Sequence, residues 1–137
     1  MARPVSTAEV SAVMAAAHAA GVVVVPQGGN TGLCVASVAG QPGAVLLSLA
    51  RMSAIEAPDR DSGSVLVEAG VVLARLHQAL EGSGLNFPLH LGAEGSAQIG
   101  GLVGTNAGGS HAFRYGMMQD LVLGWRWFWP KAPFGTG

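Results

Sequence analysis

The sequence predicts an α+β domain, on three observations: a helical apolar period near the N-terminus, short β-branched runs after it, and glycine concentrated between the regular elements. Ser6 and Glu9 stand three residues apart, the spacing of a capping box, and Val10, Val13, Met14 and Ala17 then recur at helical intervals. A helix over 7–20 follows, and Gly21 supplies its stop. Val22 to Val25 is a continuous β-branched run, the pattern of a strand buried on both faces. Ala44 to Leu49 and Ser64 to Glu68 read as two more strands, with Pro58, Asp59, Asp61 and Gly63 forcing a hairpin or bend between them. Leu73, Leu76 and Leu80 line one face of a second helix over 72–81, with His77 beside that face and Gly82 and Gly84 beyond its end. From Phe87 to Gly116 no period is sustained and Gly, Ser, Asn and Pro are dense, which predicts a long set of loops; loops of that length are usually functional.

The bulk composition narrows the function. The 137 residues suffice for one domain with a real core, and with 50% of them apolar and 11% charged the chain is not disordered. A net charge of -1, with no run of either sign, gives no footprint for nucleic acid or an anionic membrane surface. The longest apolar stretches fall far short of the roughly 20 residues of a membrane span, so none is expected. MARPVSTAEV lacks the apolar core of a signal peptide and the single Cys34 cannot form an internal disulfide, so a reducing cytoplasm is the expected location.

Two loops can carry chemistry. In VVVVPQGGNTGL, Gly28, Gly29 and Gly32, with Asn30 and Thr31, come directly after a strand, where successive backbone N–H groups can converge on an anion and short side chains let it approach. GxGxxG is absent and no helix visibly follows, so this is not a Rossmann fingerprint, and it lacks the Gly-Lys-Ser/Thr of a P-loop. Such a loop taken alone is more often an ordinary tight turn. The second, GAEGSAQIGGLVGTNAGGSHAFRYG, presents Gly95, Ser96, Gly100, Gly101, Thr105, Asn106, Gly108 and Gly109, again small and without bulky charge. Two such loops in one small domain are hard to explain as turns alone.

The motifs PQGGNTGL, FPL, GAEGSAQIGG, TNAGG and RYG, in that order and spacing, resemble the PCMH-type FAD-binding domain of the vanillyl-alcohol-oxidase-like FAD-linked oxidases. The wording is closest to the branch of D-lactate, glycolate and D-2-hydroxyglutarate dehydrogenases, and the resemblance covers residues 3–124. It implies two α/β subdomains with FAD between them, the domain being incomplete at its C-terminus. Carried over residue by residue, the FAD-binding set is Pro26, Gln27, Gly28, Gly29, Asn30, Thr31, Gly32 and Leu33 in the first loop. In the second it is Gly95, Ser96, Ile99, Gly100, Gly101, Thr105, Asn106, Ala107, Gly108 and Gly109. Covalent relatives place a histidine in the first loop; its absence here implies non-covalent FAD. In the family, hydride passes from substrate C2 to the flavin, while substrate carboxylate and proton are handled by a C-terminal domain that this chain lacks. No catalytic residue is therefore expected, and the small 2-hydroxy acid would bind only to a full-length parent. An inactive or standalone FAD-binding module, or an oxidase or reductase of the same fold with another substrate, remain alternatives.

The other candidates read as structural. His18, His77, His90 and His111 fall on two helices and two loops with no close-spaced pair, so no metal site is expected. His90, at a position that is commonly small polar or acidic in the resembling branch, could approach the flavin ring, but a loop histidine capping backbone is the favoured reading. Cys34 reads as a small buried thiol. Arg114 and Tyr115 are expected to anchor their loop by packing, and Glu68 to hold structure. After Gly124 the family pattern breaks into WRWFWPKAPFGTG, which holds all 3 tryptophans. Back-translation in another frame permits Leu-Glu-Val-Val-Leu-Ala-Glu-Gly, so residues 125–137 are expected to be a non-homologous tail produced by a frameshift, and the chain a fragment.

Overall fold

The computed structural model describes residues 1–129 and 132–136. Helix α1 (Thr7–Ala19) starts as its cap predicts: Ser6 is extended and its hydroxyl accepts the Glu9 amide at 3.3 Å. The reciprocal bond of the capping box lands one residue early, with the Glu9 carboxylate accepting the Val5 amide at 2.8 Å. At the other end Gly21, at φ 64, donates to His18 and Val22 donates to Ala17, the paired bonds of a Schellman stop.

Strand β1 (Val24–Gln27) begins two residues later than the β-branched run, and its expected burial on both faces is not realised. Val23 is exposed, because β1 is the edge of a parallel pair with β2 (Val45–Ser48), in register Val24 to Val45 through Gln27 to Ser48. Edge position also explains why Pro26, without a donor, is tolerated. On the other side of β2, Ala2 bridges Leu47 in parallel, its N–H on Leu46 O and its C=O taking the Ser48 N–H. β2 is thus central, and Leu47 packs with Val10 and Met52 in a first small core.

The expected strand over 64–68 is instead one side of a loose hairpin that touches its partner at two bridges, Ile55 with Val67 and Asp59 with Ser64. Asp59 binds its own turn, accepting from the Ser62 hydroxyl and from the amides of Asp61 and Ser62; these bonds hold its carboxyl below the ordinary range. Glu68 is structural, as expected: its carboxylate accepts the Ala54 amide at 2.8 Å.

Helix α2 (Leu73–Leu80) buries Leu73, Leu76 and Leu80 against Val71, Leu89, Ala97, Ile99, Leu102 and Met118, a second and larger core. The segment expected to be all loop contains α3 (Ile99–Gly104) and α4 (Ala112–Tyr115), followed by α5 (Met118–Leu121). α3 holds despite its poor glycine propensity because Ile99 and Leu102 are drawn into the second core. Beyond it, β3 (Arg126–Trp129) and β4 (Ala132–Thr136) pair antiparallel and lie against α1. Of the tail expected to be foreign, residues 130, 131 and 137 lie outside the described set. No helix among the described residues is long and apolar enough to cross a membrane.

The first core lies with α1 and β2 and the second is built on α2, α3 and α5 with no named strand among the described residues, and the two meet at Gly70. Its N–H bonds Met52 O at 2.9 Å, and a Cβ there would overlap the carbonyl of Leu49. We expect Leu76→Ala, at a 2% exposed site, to cost about 2–5 kcal/mol in urea unfolding. Leu66→Ala, at a 66% exposed site, should stay within about 0.5 kcal/mol in the same measurement.

Candidate functional site

The first glycine loop leaves the C-terminal end of β1. Asn30 turns it with φ 53, and its side-chain oxygen accepts the Ser37 hydroxyl at 2.6 Å, while Gln27 Nε2 donates to Ser37 O at 3.0 Å. Gln27 and Asn30 therefore act on the loop itself, closing it across Ser37. Among the described residues, no backbone N–H from Gly28 to Leu33 donates to a protein acceptor. Thr31, Gly32 and Leu33 are open to solvent, Leu33 almost completely.

The second segment divides its labour. The amides of Ile99 and Gly100 are held by Val71 O and Ala69 O, and a Cβ on Gly100 would press on Ala69, so these two positions dock α3 onto the chain before α2. Thr105 donates twice to Gly101 O, Asn106 accepts the Gln119 amide and Ala107 O accepts that of Met118; together they finish α3 and seat α5. Gly109 lies against the backbone of His90, where a Cβ would overlap its carbonyl oxygen. The N–H groups of Gly95, Gly108 and Gly109 donate to nothing among the described residues.

The fold brings the two loops into backbone contact. A Cβ on Gly29 would overlap the carbonyl of Ser96, and one on Gly28 would sit 3.4 Å from Gln98 Oε1. That oxygen is buried and has no hydrogen-bond partner, an acceptor left for a donor the protein does not supply. Gly29 is therefore required by the fold itself, since a Cβ there would take the place of the Ser96 carbonyl. Free amides on both sides of this junction, with no carboxylate in 26–33 or 95–109, suit it to an anion.

Beside the second segment lies a cluster that sequence spacing hid. His77 Nε2 faces Phe87 O at 3.1 Å, its Nδ1 lies 3.5 Å from Glu94 Oε2, and His90 Nδ1 lies 2.9 Å from Glu94 Oε1, which also accepts the Leu91 amide. The rings of His77 and His90 stack at 4.5 Å, and His111 meets His90 edge-on at 5.0 Å. Desolvation pushes the Glu94 carboxyl up, but the bonds from His90 and Leu91 and the charges of His77 and His90 outweigh it and hold it below the usual carboxylate range. His90 thus bonds a carboxylate rather than capping backbone through its ring. The only hint in the sequence was that His90 and Glu94 stand four apart.

Two smaller readings change. Cys34 is exposed, not buried, because the loop around it belongs to neither core. Arg114 stacks over the Tyr115 ring at 5.1 Å, but Tyr115 stays exposed, so the pair packs on itself more than into the loop.

Residues 1–131 match the FAD binding domain family. The chain belongs to it. This FAD-binding domain is 46% identical over 121 residues to the probable mitochondrial D-2-hydroxyglutarate dehydrogenase of Oryza sativa subsp. indica, covering 88% of the chain and 22% of that protein. It is 41% identical over 121 residues to the D-2-hydroxyglutarate dehydrogenase of Stutzerimonas stutzeri (strain A1501), again 88% of the chain and 26% of that protein. It therefore spans about a quarter of these relatives' length. Among solved structures it is similar to alkyldihydroxyacetonephosphate synthase, with TM-score 0.87 and 24% identity over 98% of this chain and 27% of that one. Chitooligosaccharide oxidase gives 0.84 and 22%, over 98% and 28%. At such identities the likeness is one of fold, and the fold is the PCMH-type FAD-binding fold, α+β with 98% of the chain superposed.

Gly29→Ala should destabilise the domain by about 1–3 kcal/mol, because the new methyl meets rigid backbone. Gly32→Ala, with nothing within 4 Å of its Cβ, should change stability by no more than about 0.5 kcal/mol. Thermal unfolding of both variants beside the parent checks the pair.

Proposed function

We propose that this FAD-binding domain serves a dehydrogenase of a D-2-hydroxy acid such as D-2-hydroxyglutarate, D-lactate or glycolate, and that it holds FAD without a covalent bond. The observation that carries the reading is the backbone contact of the two glycine loops, whose amides at Gly28 to Leu33, Gly95, Gly108 and Gly109 have no acceptor among the described residues and whose sequences hold no carboxylate. The backbone amides of Gly28 to Leu33, Gly95, Gly108 and Gly109 would bind the pyrophosphate, and the buried Gln98 Oε1 would accept from a donor of the bound group. Pro26, Gln27, Asn30, Ile99, Gly100, Thr105, Asn106 and Ala107 would shape that cradle rather than all touch its occupant. When bound, FAD supplies an acceptor for hydride from the alcohol carbon.

The names of the rice and Stutzerimonas relatives support the choice of branch. The lack of histidine from Pro26 to Leu33 supports non-covalent attachment. We assign no general base among the described residues; binding of the substrate carboxylate and removal of its proton would fall to portions of the relatives outside the matched region. The exposed, unpaired thiol of Cys34 supports a reducing compartment such as the cytoplasm, though several relatives are named as mitochondrial. We also propose a shifted frame behind residues 125–137, which resequencing from codon 115 onward tests.

The chain titrated with FAD should quench flavin fluorescence saturably, and acid precipitation should leave the flavin in the supernatant. Flavin retained in the pellet overturns non-covalent attachment, and no saturable binding overturns the cradle. In a full-length polypeptide carrying this domain, anaerobic addition of D-2-hydroxyglutarate, D-lactate or glycolate should bleach the flavin absorbance. Failure of all three, with flavin bound, overturns the substrate class.

A further inference from the structure

We propose that His77, His90 and Glu94 form a binding site for a divalent transition-metal ion of zinc's class, which ties α2 to the loop running into the second glycine segment. One ligand atom from each residue lies within 4.8 Å of the others. Tetrahedral zinc, with bonds of about 2.0–2.1 Å, needs its ligand atoms about 3.3–3.4 Å apart. The separations of Glu94 from His77 Nδ1 and from His90 Nδ1, 3.5 and 2.9 Å, lie on either side of that spacing.

The orientation of His77 is the stronger argument. A carbonyl oxygen only accepts, so the contact with Phe87 O puts the proton of neutral His77 on Nε2 and leaves the lone pair on Nδ1. That lone pair faces the Glu94 carboxylate at 3.5 Å. Two acceptors so placed require a cation between them, either a second proton on His77 or a metal ion. An imidazole whose other ring N–H is held by a backbone carbonyl is how proteins set a histidine to ligate. Glu94 is likewise fixed by the Leu91 amide, and His90 by its rings on either side.

The donor set selects the ion. Two imidazole nitrogens and one carboxylate oxygen suit zinc and its neighbours, whereas magnesium and calcium take oxygen. The ion would brace the flavin segment from outside, since the carbonyl of His90 receives the Ser110 amide and abuts Gly109. The site stands whether or not FAD binds.

The test is calorimetric titration of zinc into the 137-residue chain carrying Cys34→Ser, which removes the exposed thiol as a competing ligand. One equivalent should bind. His77→Gln, which keeps a donor for Phe87 O, and His90→Gln should each weaken binding at least roughly tenfold, while His18→Gln leaves it unchanged. Cobalt in place of zinc should give visible d–d bands of a low-coordinate nitrogen–oxygen site. Absence of saturable binding overturns the proposal, as does equal loss in His18→Gln or binding untouched by His77→Gln and His90→Gln. Should either variant fail to fold, histidine resonances of the unmutated site decide. Zinc-induced shifts confined to His77 and His90 support it, and shifts centred on His18 or His111 sink it.

Discussion

The approach of Gly29 to the carbonyl of Ser96 is the constraint on which the rest of this structure depends. It is a contact of backbone with backbone, so no side chain can yield to relieve it, and only a residue without Cβ permits it. Together with Gly70, pressed between Leu49 and Met52, it sets the spacing of two cores that are each too small to hold a shape alone. The free amides of the first loop follow from the same geometry. The loop is closed on itself through Asn30 and Ser37, and its amides donate to no acceptor among the described residues.

What could be read from the sequence was what local chemistry decides. The caps of α1, the leucine face of α2 and the stop at Gly21 were legible because each depends on residues within a turn or two. The motifs of the glycine loops were legible as words, and the family follows from them. Illegible were the features set by distant partners. Val22 and Val23 look like strand, but β1 starts only where β2 begins to pair. The run at 64–68 looks like strand too, yet Pro58 and the self-bonded Asp59 leave it two bridges instead of a ladder. α3, written in glycines, exists because Ile99 and Leu102 find a core that no local pattern announces.

The candidate site shows the same division within a single motif. Glycine in GSAQIGG or TNAGG can mean room for a ligand or room for the protein's own backbone, and the letters are identical. Only the fold separates Gly100 and Gly109, crowded by Ala69 and His90, from Gly32 and Gly95, whose absent side chains would meet nothing. The histidine cluster escaped for a related reason: His77 and Glu94 meet only because α2 packs under the loop after Phe87.

The cluster and the cradle are electrostatically connected. Glu94 immediately precedes Gly95, so an ionised carboxylate there would stand beside any anion bound across the second loop. Yet Glu94 is ionised, its carboxyl held below the usual range, and its oxygens are engaged by His90, the Leu91 amide and the neighbouring His77. Engagement of the carboxylate by His90 Nδ1 and the Leu91 amide offsets that charge locally. A position that would otherwise oppose a pyrophosphate thereby becomes compatible with one, and the histidines that make it so are the same residues whose geometry is set for a cation.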